Sequence, residues 1–290
     1  MNIIEIYRLL PNEDACIAHL EAVRWKGKPV CPYCQSDRVT PMAKERRHHC
    51  NACHTTFSVT VGTIFHHTHL DLQKWFLAIS LILNAKKGIS SRQLARDLEL
   101  NKNTAWYLAM RIRKAMEQSE ERNLLTGIIE TDEMYVGGEP RKGAGGELPK
   151  RTRGTKKTPV VGMAERGGKV KAKVMRKDRL NGKGLSPLVR STVDLSKATL
   201  MTDEYKDYLR MSRIVDHKTI THADWYVDGD VHTNSIESFW AILNRGIVGQ
   251  FRKVSVAYLP KYIDELCYRY NHRKNGDVFA LTISRGLGVA

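Results

Sequence analysis

LLTGIIETDEMYVGG, residues 124–138, is a short apolar run that breaks into acids. Gly127-Ile128-Ile129 reads as an apolar strand, and Asp132 lies just beyond it. The pattern returns at Ala198 to Thr202, a second apolar strand, followed by Asp203. Between them VVGMAER and KVKAKVMRK, split by Gly167-Gly168, read as a β-hairpin, and Leu185 to Val193 as a helix. Helices around Ser235 to Asn244 and Val256 to Tyr270 close this region. Strand, hairpin, helix, strand and helices in that order imply an α/β fold with a mixed sheet. The Gly-, Lys- and Arg-rich stretch 139–158 reads as a basic insertion, a loop or hairpin tip.

Upstream, the chain changes character twice. Residues 64–123 are helical, with apolar Leu72, Trp75, Phe76, Ile79 and Leu83. Within them, GISSRQLARDLELNKNTAWYLAMRIRKAM reads as two short helices joined by a turn. Ser90 or Ser91 caps the first, which buries Leu94, Ala95 and Leu98. The second starts at Asn103 or Thr104, with apolar Tyr107, Leu108, Ile112 and Met116. This is the layout of a helix-turn-helix. It would present Asn101, Lys102, Asn103 and Trp106 to a DNA groove and turn Arg111, Arg113 and Lys114 towards phosphates. A basic helix is ordinarily just a solvated face, and net charge tips the balance. Forty-seven Lys and Arg against 31 Asp and Glu leave +16, the electrostatic footprint of a polyanion binder.

Residues 25–63 form a loop-rich module around Cys31-Pro-Tyr-Cys34 and Cys50-Asn-Ala-Cys53, fifteen residues apart. That spacing predicts one structural zinc held by Cys31, Cys34, Cys50 and Cys53. Four thiolates complete the tetrahedron, so His48, His49 and His54 are expected at the surface or on phosphate. His66, His67 and His69 are read as linker residues, and Cys16 and Cys267 as buried thiols. Residues 1–24 read as a helical segment. No apolar run reaches the ~18 residues of a membrane span. The start, MNIIEIYRLLPNED, lacks the marks of a secretory signal. The expectation is a cytoplasmic protein.

A lone Asp at a strand end is usually a cap. Here Asp132 and Asp203 end two strands, and Glu237 sits on the helix NSIESFWAILNR. Phosphoryl transfer on DNA uses two divalent ions ~3.5–4 Å apart, and carboxylates are the hard ligands that hold Mg²⁺ or Mn²⁺. Glu130, Glu133, Glu204, Asp228 and Asp230 are alternative ligands or neighbours of ligands; Glu130 shares strand parity with Asp132. His232 and Asn234 stand where they could touch a scissile phosphate, or simply cap the helix.

RWKGKPVCPYC, FSVTVGTIFHHT, IIETDEMYVGG, TLMTDEYKDY, HTNSIESFW and YRYNHRK, spread over almost the whole chain, resemble the zinc-ribbon DDE transposases of bacterial insertion sequences. The resemblance implies a ribonuclease-H-like catalytic domain over residues 124–290. It implies Asp132, Asp203 and Glu237 as the metal-binding triad, with two Mg²⁺ or Mn²⁺, and favours Asp132 over Glu130. It also implies binding to terminal inverted repeats, metal-dependent strand cleavage and transfer, a nucleoid location, and at least a dimer on double-stranded DNA. The competing expectation is a DNA-binding regulator whose nuclease-like domain is inactive.

Overall fold

A computed structural model describes residues 1–117, 123–137, 157–203, 208–220 and 232–289. The chain divides into two compact units: Met1–Met116 with Lys274–Ala290, and Glu117–Arg273. Most of the basic stretch expected at 139–158, and the acids Glu204, Asp228 and Asp230, lie outside the described residues.

The first unit opens with α1 (Ile3–Leu9) and α2 (Glu13–Trp25), each started by an Asn side chain that accepts a first-turn amide. A three-stranded antiparallel ribbon follows: β1 (Val39–Met42), β2 (Arg47–Cys50) and β3 (Thr56–Phe57). Then come α3 (Leu72–Asn84), α4 (Ser91–Asp97) and α5 (Lys102–Lys114). Helix α3 is the centre of this unit, with Trp75, Phe76, Ile79 and Ile82 almost wholly buried. Ser90 caps α4, one of the two caps expected, and Asn101 caps α5, which begins at Lys102, ahead of the expected Asn103 or Thr104.

The second unit carries a five-stranded sheet in the order β6-β5-β4-β7-β8. Its strands are β4 (Leu125–Val136), β5 (Thr158–Glu165), β6 (Val170–Val174), β7 (Val193–Asp203) and β8 (Asp216–Ile220). β4, β5 and β6 pair antiparallel, while β7 and β8 run parallel to β4. This mixed sheet is ribonuclease-H-like, as expected. The β4–β7 register shifts between Leu125 and Gly127; Gly127 takes φ +73° there, a conformation that favours glycine inside a strand.

Period-two alternation gives the sheet two apolar faces. Leu125, Ile129, Val161, Met163 and Leu200 pack on α6 (Gly182–Thr192) through Leu185 and Val189. Val136, Val160, Ala164, Val170 and Ala172 pack on α7 (Asn234–Asn244) and α8 (Leu259–Asn271) through Ile236, Phe239, Leu243, Ile263 and Leu266. Met201 and Asp203 share their parity along β7, opposite to that of Leu200. The acids Glu130 and Asp132 share parity with Val136 and so lie on the α7 face.

One expectation is corrected here. The span 124–290 does not fold as one body, because a further helix, α9 (Val278–Leu287), belongs to the first unit. Phe279 meets Phe76 edge-on with ring centroids 6.0 Å apart, and the Ile64 amide donates to Gly286 O at 3.0 Å. Helix α9 lies beyond the last helix that the sequence pattern predicts, Val256 to Tyr270.

Candidate active site and zinc centre

The four cysteines come together. Their sulfurs lie within 4.8 Å of one another, with Cys31–Cys53 at 3.7 Å and Cys34–Cys50 at 3.5 Å. A tetrahedron with metal–sulfur bonds of ~2.3 Å has edges of ~3.8 Å, so the cluster has the size that zinc requires. The two C-x2-C turns are near copies. The Gln35 amide donates to Cys31 O and the His54 amide to Cys50 O, both at 2.9 Å. Gln35 and His54 both sit in the left-handed region, at φ +60° and +55°. Backbone amides aimed at sulfur favour the thiolate that binds metal. The Cys53 amide, above all, draws the Cys50 thiol down to about 6; burial opposes this, and the Ala52 amide and the Cys34 and Cys53 thiols add to it.

His48 is not at the surface. It is 7% exposed, stacks on Phe57 and meets Glu21 Oε1 through Nε2 at 2.9 Å. Cys16 and Cys267 are buried as expected; burial, helped by Glu13, pushes the Cys16 thiol up to about 12.

On the sheet, the parallel register runs to the pair Thr131↔Thr202. Asp132 and Asp203 each follow by one residue and are both half-buried. Parallel partners share a face, so both acids belong to the α7 side of the sheet edge. Glu237 lies exposed in the first turn of α7, where Thr233 Oγ1 donates to its Oε1 at 3.0 Å. Asp132 is tied to the same helix: Trp240 Nε1 donates to Oδ2 at 3.0 Å, and the Glu133 amide to Oδ1 at 2.7 Å. Asp132 and Asp203 are thus neighbours at the ends of adjacent strands, and Asp132 is bonded to the helix that carries Glu237. Among the described residues, however, only the four thiols are drawn together as tightly as a metal's ligands.

Glu130 and Glu133 separate cleanly. Glu133 faces the other side and accepts from buried Tyr208 Oη at 2.8 Å. Glu130 is fully buried, and both its oxygens are engaged by α7 and Arg166. His232 Nδ1 lies 3.3 Å from Glu130 Oε1. Asn234 is the exposed first residue of α7; Thr233, not Asn234, is the N-cap. Trp240, Arg166 and Gly162 were missed as site residues. Gly162 pairs with Asp132 across β4–β5, and a Cβ on it would stand 2.5 Å from Trp240 Cη2. Only glycine leaves the slot through which the indole reaches Asp132.

On α5, Lys102, Asn103 and Lys114 are exposed, while Trp106 and Arg111 are half-buried. Arg111 donates to His66 O at 2.6 Å, with its guanidinium 5.3 Å from the Trp75 ring and 5.6 Å from the Tyr107 ring. Two residues exchange their expected places. Arg113 is 1% exposed, because helical spacing sets it in the inward stripe with Ala105, Ala109, Ile112 and Met116. Tyr107, expected inside, is 58% exposed.

Comparison with known proteins assigns both modules to families. Residues 124–271 match the ISXO2-like transposase domain, and residues 11–56 the transposase zinc-ribbon domain. A Halobacterium salinarum protein of the transposable element ISH50 is 30% identical over 264 residues, covering 84% of this chain and 86% of its own. Two solved structures are remotely similar. The Mos1 strand transfer complex has a TM-score of 0.33 at 13% identity, over 73% of this chain and 75% of that one. The Mos1 paired-end complex with the left transposon end has 0.29 at 14%, over 73% and 78%. With its ribbon of four cysteines and its mixed sheet, the chain belongs to the ISXO2-like transposases.

Proposed function

We propose that this transposase binds the terminal inverted repeats of its insertion sequence as double-stranded DNA, cuts them, and joins the freed ends to target DNA. The observation that carries this reading is the corner where Asp132 and Asp203 leave adjacent parallel strands beside the helix that bears Glu237. In our reading these three acids hold the catalytic cations. Their carboxylate oxygens suit Mg²⁺ or Mn²⁺, and their corner opens outward, since Glu237 is exposed and both aspartates are half-buried. When bound, two such ions supply Lewis-acid stabilisation and a nucleophile at neutral pH.

The chain's own contribution is placement. Trp240 and the Glu133 amide orient Asp132, and Thr233 orients Glu237. The chemistry is two in-line displacements. Water opens a phosphodiester and leaves a 3′-hydroxyl, which then attacks a phosphodiester of the target. Helix α5 would meet the duplex through Lys102, Asn103, Trp106, Arg111 and Lys114, and the zinc ribbon would extend that contact. Two ends must be cut and joined in concert, so at least two copies act together on DNA. No helix among the described residues is long and apolar enough to cross a membrane; in our reading the protein works on DNA at the nucleoid.

The test is cleavage of labelled element ends in Mg²⁺, run beside a binding assay in Ca²⁺. Asp132→Asn, Asp203→Asn and Glu237→Gln should each bind the ends like the parent and cut at least ~100-fold more slowly, as loss of a key electrostatic group at such a centre costs. Normal cutting by Asp203→Asn or Glu237→Gln would remove that residue from the triad. A parent chain that binds the ends and never cuts would favour the regulator reading.

A further inference from the structure

Glu130 is a carboxylate with no exposed surface, two residues from Asp132 on the same face of β4. Such an acid would ordinarily be counted with the cation-holding group. Its partners point elsewhere. Oε2 accepts the backbone amides of Ser235 at 2.6 Å and Ile236 at 3.1 Å. Oε1 accepts Arg166 Nε at 2.8 Å and Ser235 Oγ at 3.1 Å, with His232 Nδ1 at 3.3 Å. A carboxylate has about four lone-pair sites, and four hydrogen-bond donors fill them here.

Ser235 and Ile236 are the second and third residues of α7, whose amides lack partners within the helix. In most helices the N-cap side chain accepts such an amide. Here the N-cap Thr233 makes no such bond, and its hydroxyl donates instead to Glu237. The strand supplies the cap, and the helix's own cap residue is left to orient the acid. Arg166 closes the arrangement by donating to His232 O at 3.0 Å, just ahead of the helix.

We propose that Glu130 is a positioning residue: its carboxylate clamps the first turn of α7 to β4, fixing Glu237 relative to Asp132, and does not itself hold the catalytic cations. The proposal rests on Asp132, Asp203 and Glu237 being the cation-holding acids. Groups that orient such ligands typically cost ~10–100-fold in metal affinity when lost.

The experiment uses the full zinc-loaded chain. Bound Mn²⁺ is measured from the electron paramagnetic resonance signal of the free ion, and end cleavage is followed across a Mn²⁺ titration. Glu130→Gln should raise the half-saturating Mn²⁺ by ~10-fold or more, keep the parent's number of bound ions at saturation, and recover most cleavage there. Ser235→Ala, which removes one donor to Glu130 and leaves every acid in place, should shift the titration the same way by less. Asp132→Asn should lose bound Mn²⁺ and stay slow at every concentration. Unchanged Mn²⁺ affinity in Glu130→Gln would overturn the clamp. So would a loss of bound ions that no concentration restores, since that is the signature of a ligand. If thermal melting shows that Glu130→Gln does not fold, Ser235→Ala decides: a folded variant with the parent's affinity overturns the proposal. If instead Asp132→Asn and Glu237→Gln bind Mn²⁺ and cut like the parent, the triad reading itself falls, whatever Glu130→Gln does.

Discussion

Trp240 and Asp132 are joined across the sheet–helix boundary: the indole Nε1 donates to the carboxylate Oδ2 at 3.0 Å. Trp240 lies one helical turn after Glu237, so this bond ties the strand's acid to the helix that carries the other. Replacing Trp240 by Phe keeps most of the ring's volume and removes the N–H. A net hydrogen bond of this kind is worth ~1 kcal/mol, so the melting midpoint should fall only slightly. Cleavage should fall much further, by ~10-fold or more, because a group that orients a ligand is lost. Equal, modest losses in stability and rate would mean that the bond is structural alone.

Gly162 makes the same point by crowding. A methyl there would stand 2.5 Å from Trp240 Cη2, 2.7 Å from Cζ2 and 2.8 Å from Ile236 Cδ1. Gly162→Ala should therefore push the indole away and destabilise the sheet-bearing unit by ~1–3 kcal/mol, the usual cost of overpacking. Differential scanning calorimetry of the full chain checks this. An unchanged transition would show that Trp240 has somewhere else to go, and that the slot is not tight.

Much of this was legible in one dimension, and the exceptions share a cause. Cys31, Cys34, Cys50 and Cys53 declare their site because each pair sits inside one tight turn. Asp132 and Asp203 are legible because strand ends in a parallel sheet share an edge. Glu130 is different: its role depends on Ser235, Ile236 and Arg166, which are 36 to 106 positions away. No local period reveals such a partner. Helix α9 was missed for a related reason, since its packing against α3 and Ile64 is made across two hundred residues. Arg113 is the instructive error. Its charge suggests a solvated face, but the period of 3.6 sets it beside Ala105, Ala109, Ile112 and Met116.

The zinc centre predicts a local response to metal removal. The ribbon's strands hold little apolar surface beyond Phe57, with Trp25 and His48 against it. Metal binding should supply much of its folding energy. Chelation, or Cys50→Ser, should expose the amides of Cys31, Gln35, Cys50 and His54 to hydrogen exchange, while strands β4 to β7 keep their protection. Protein purified without chelator should carry about one zinc per chain. Amides of the ribbon that stay protected after the metal is gone would show that the turns hold themselves.

The last prediction separates charge from burial on α5. If this helix lies on duplex DNA, its exposed cations displace condensed counterions, and each lost phosphate contact reduces the slope of log affinity against log salt by ~0.9. Lys102 and Lys114 are exposed, so Lys102→Ala and Lys114→Ala should each flatten the slope without moving the melting transition. Arg113 has only 1% of its surface exposed. Arg113→Ala should leave the slope alone and lower the melting midpoint, because a buried side chain and its hydrogen bonds are removed. Tyr107→Ala should weaken binding at all salt concentrations with the slope unchanged, since an exposed ring offers contact area but no charge. The measurement is binding to element-end DNA between about 50 and 200 mM salt, the range over which such contacts are felt. A flattened slope for Arg113→Ala with no loss of stability would mean that the arginine swings out onto phosphate. A parent whose affinity barely changes with salt would take α5 off the DNA altogether.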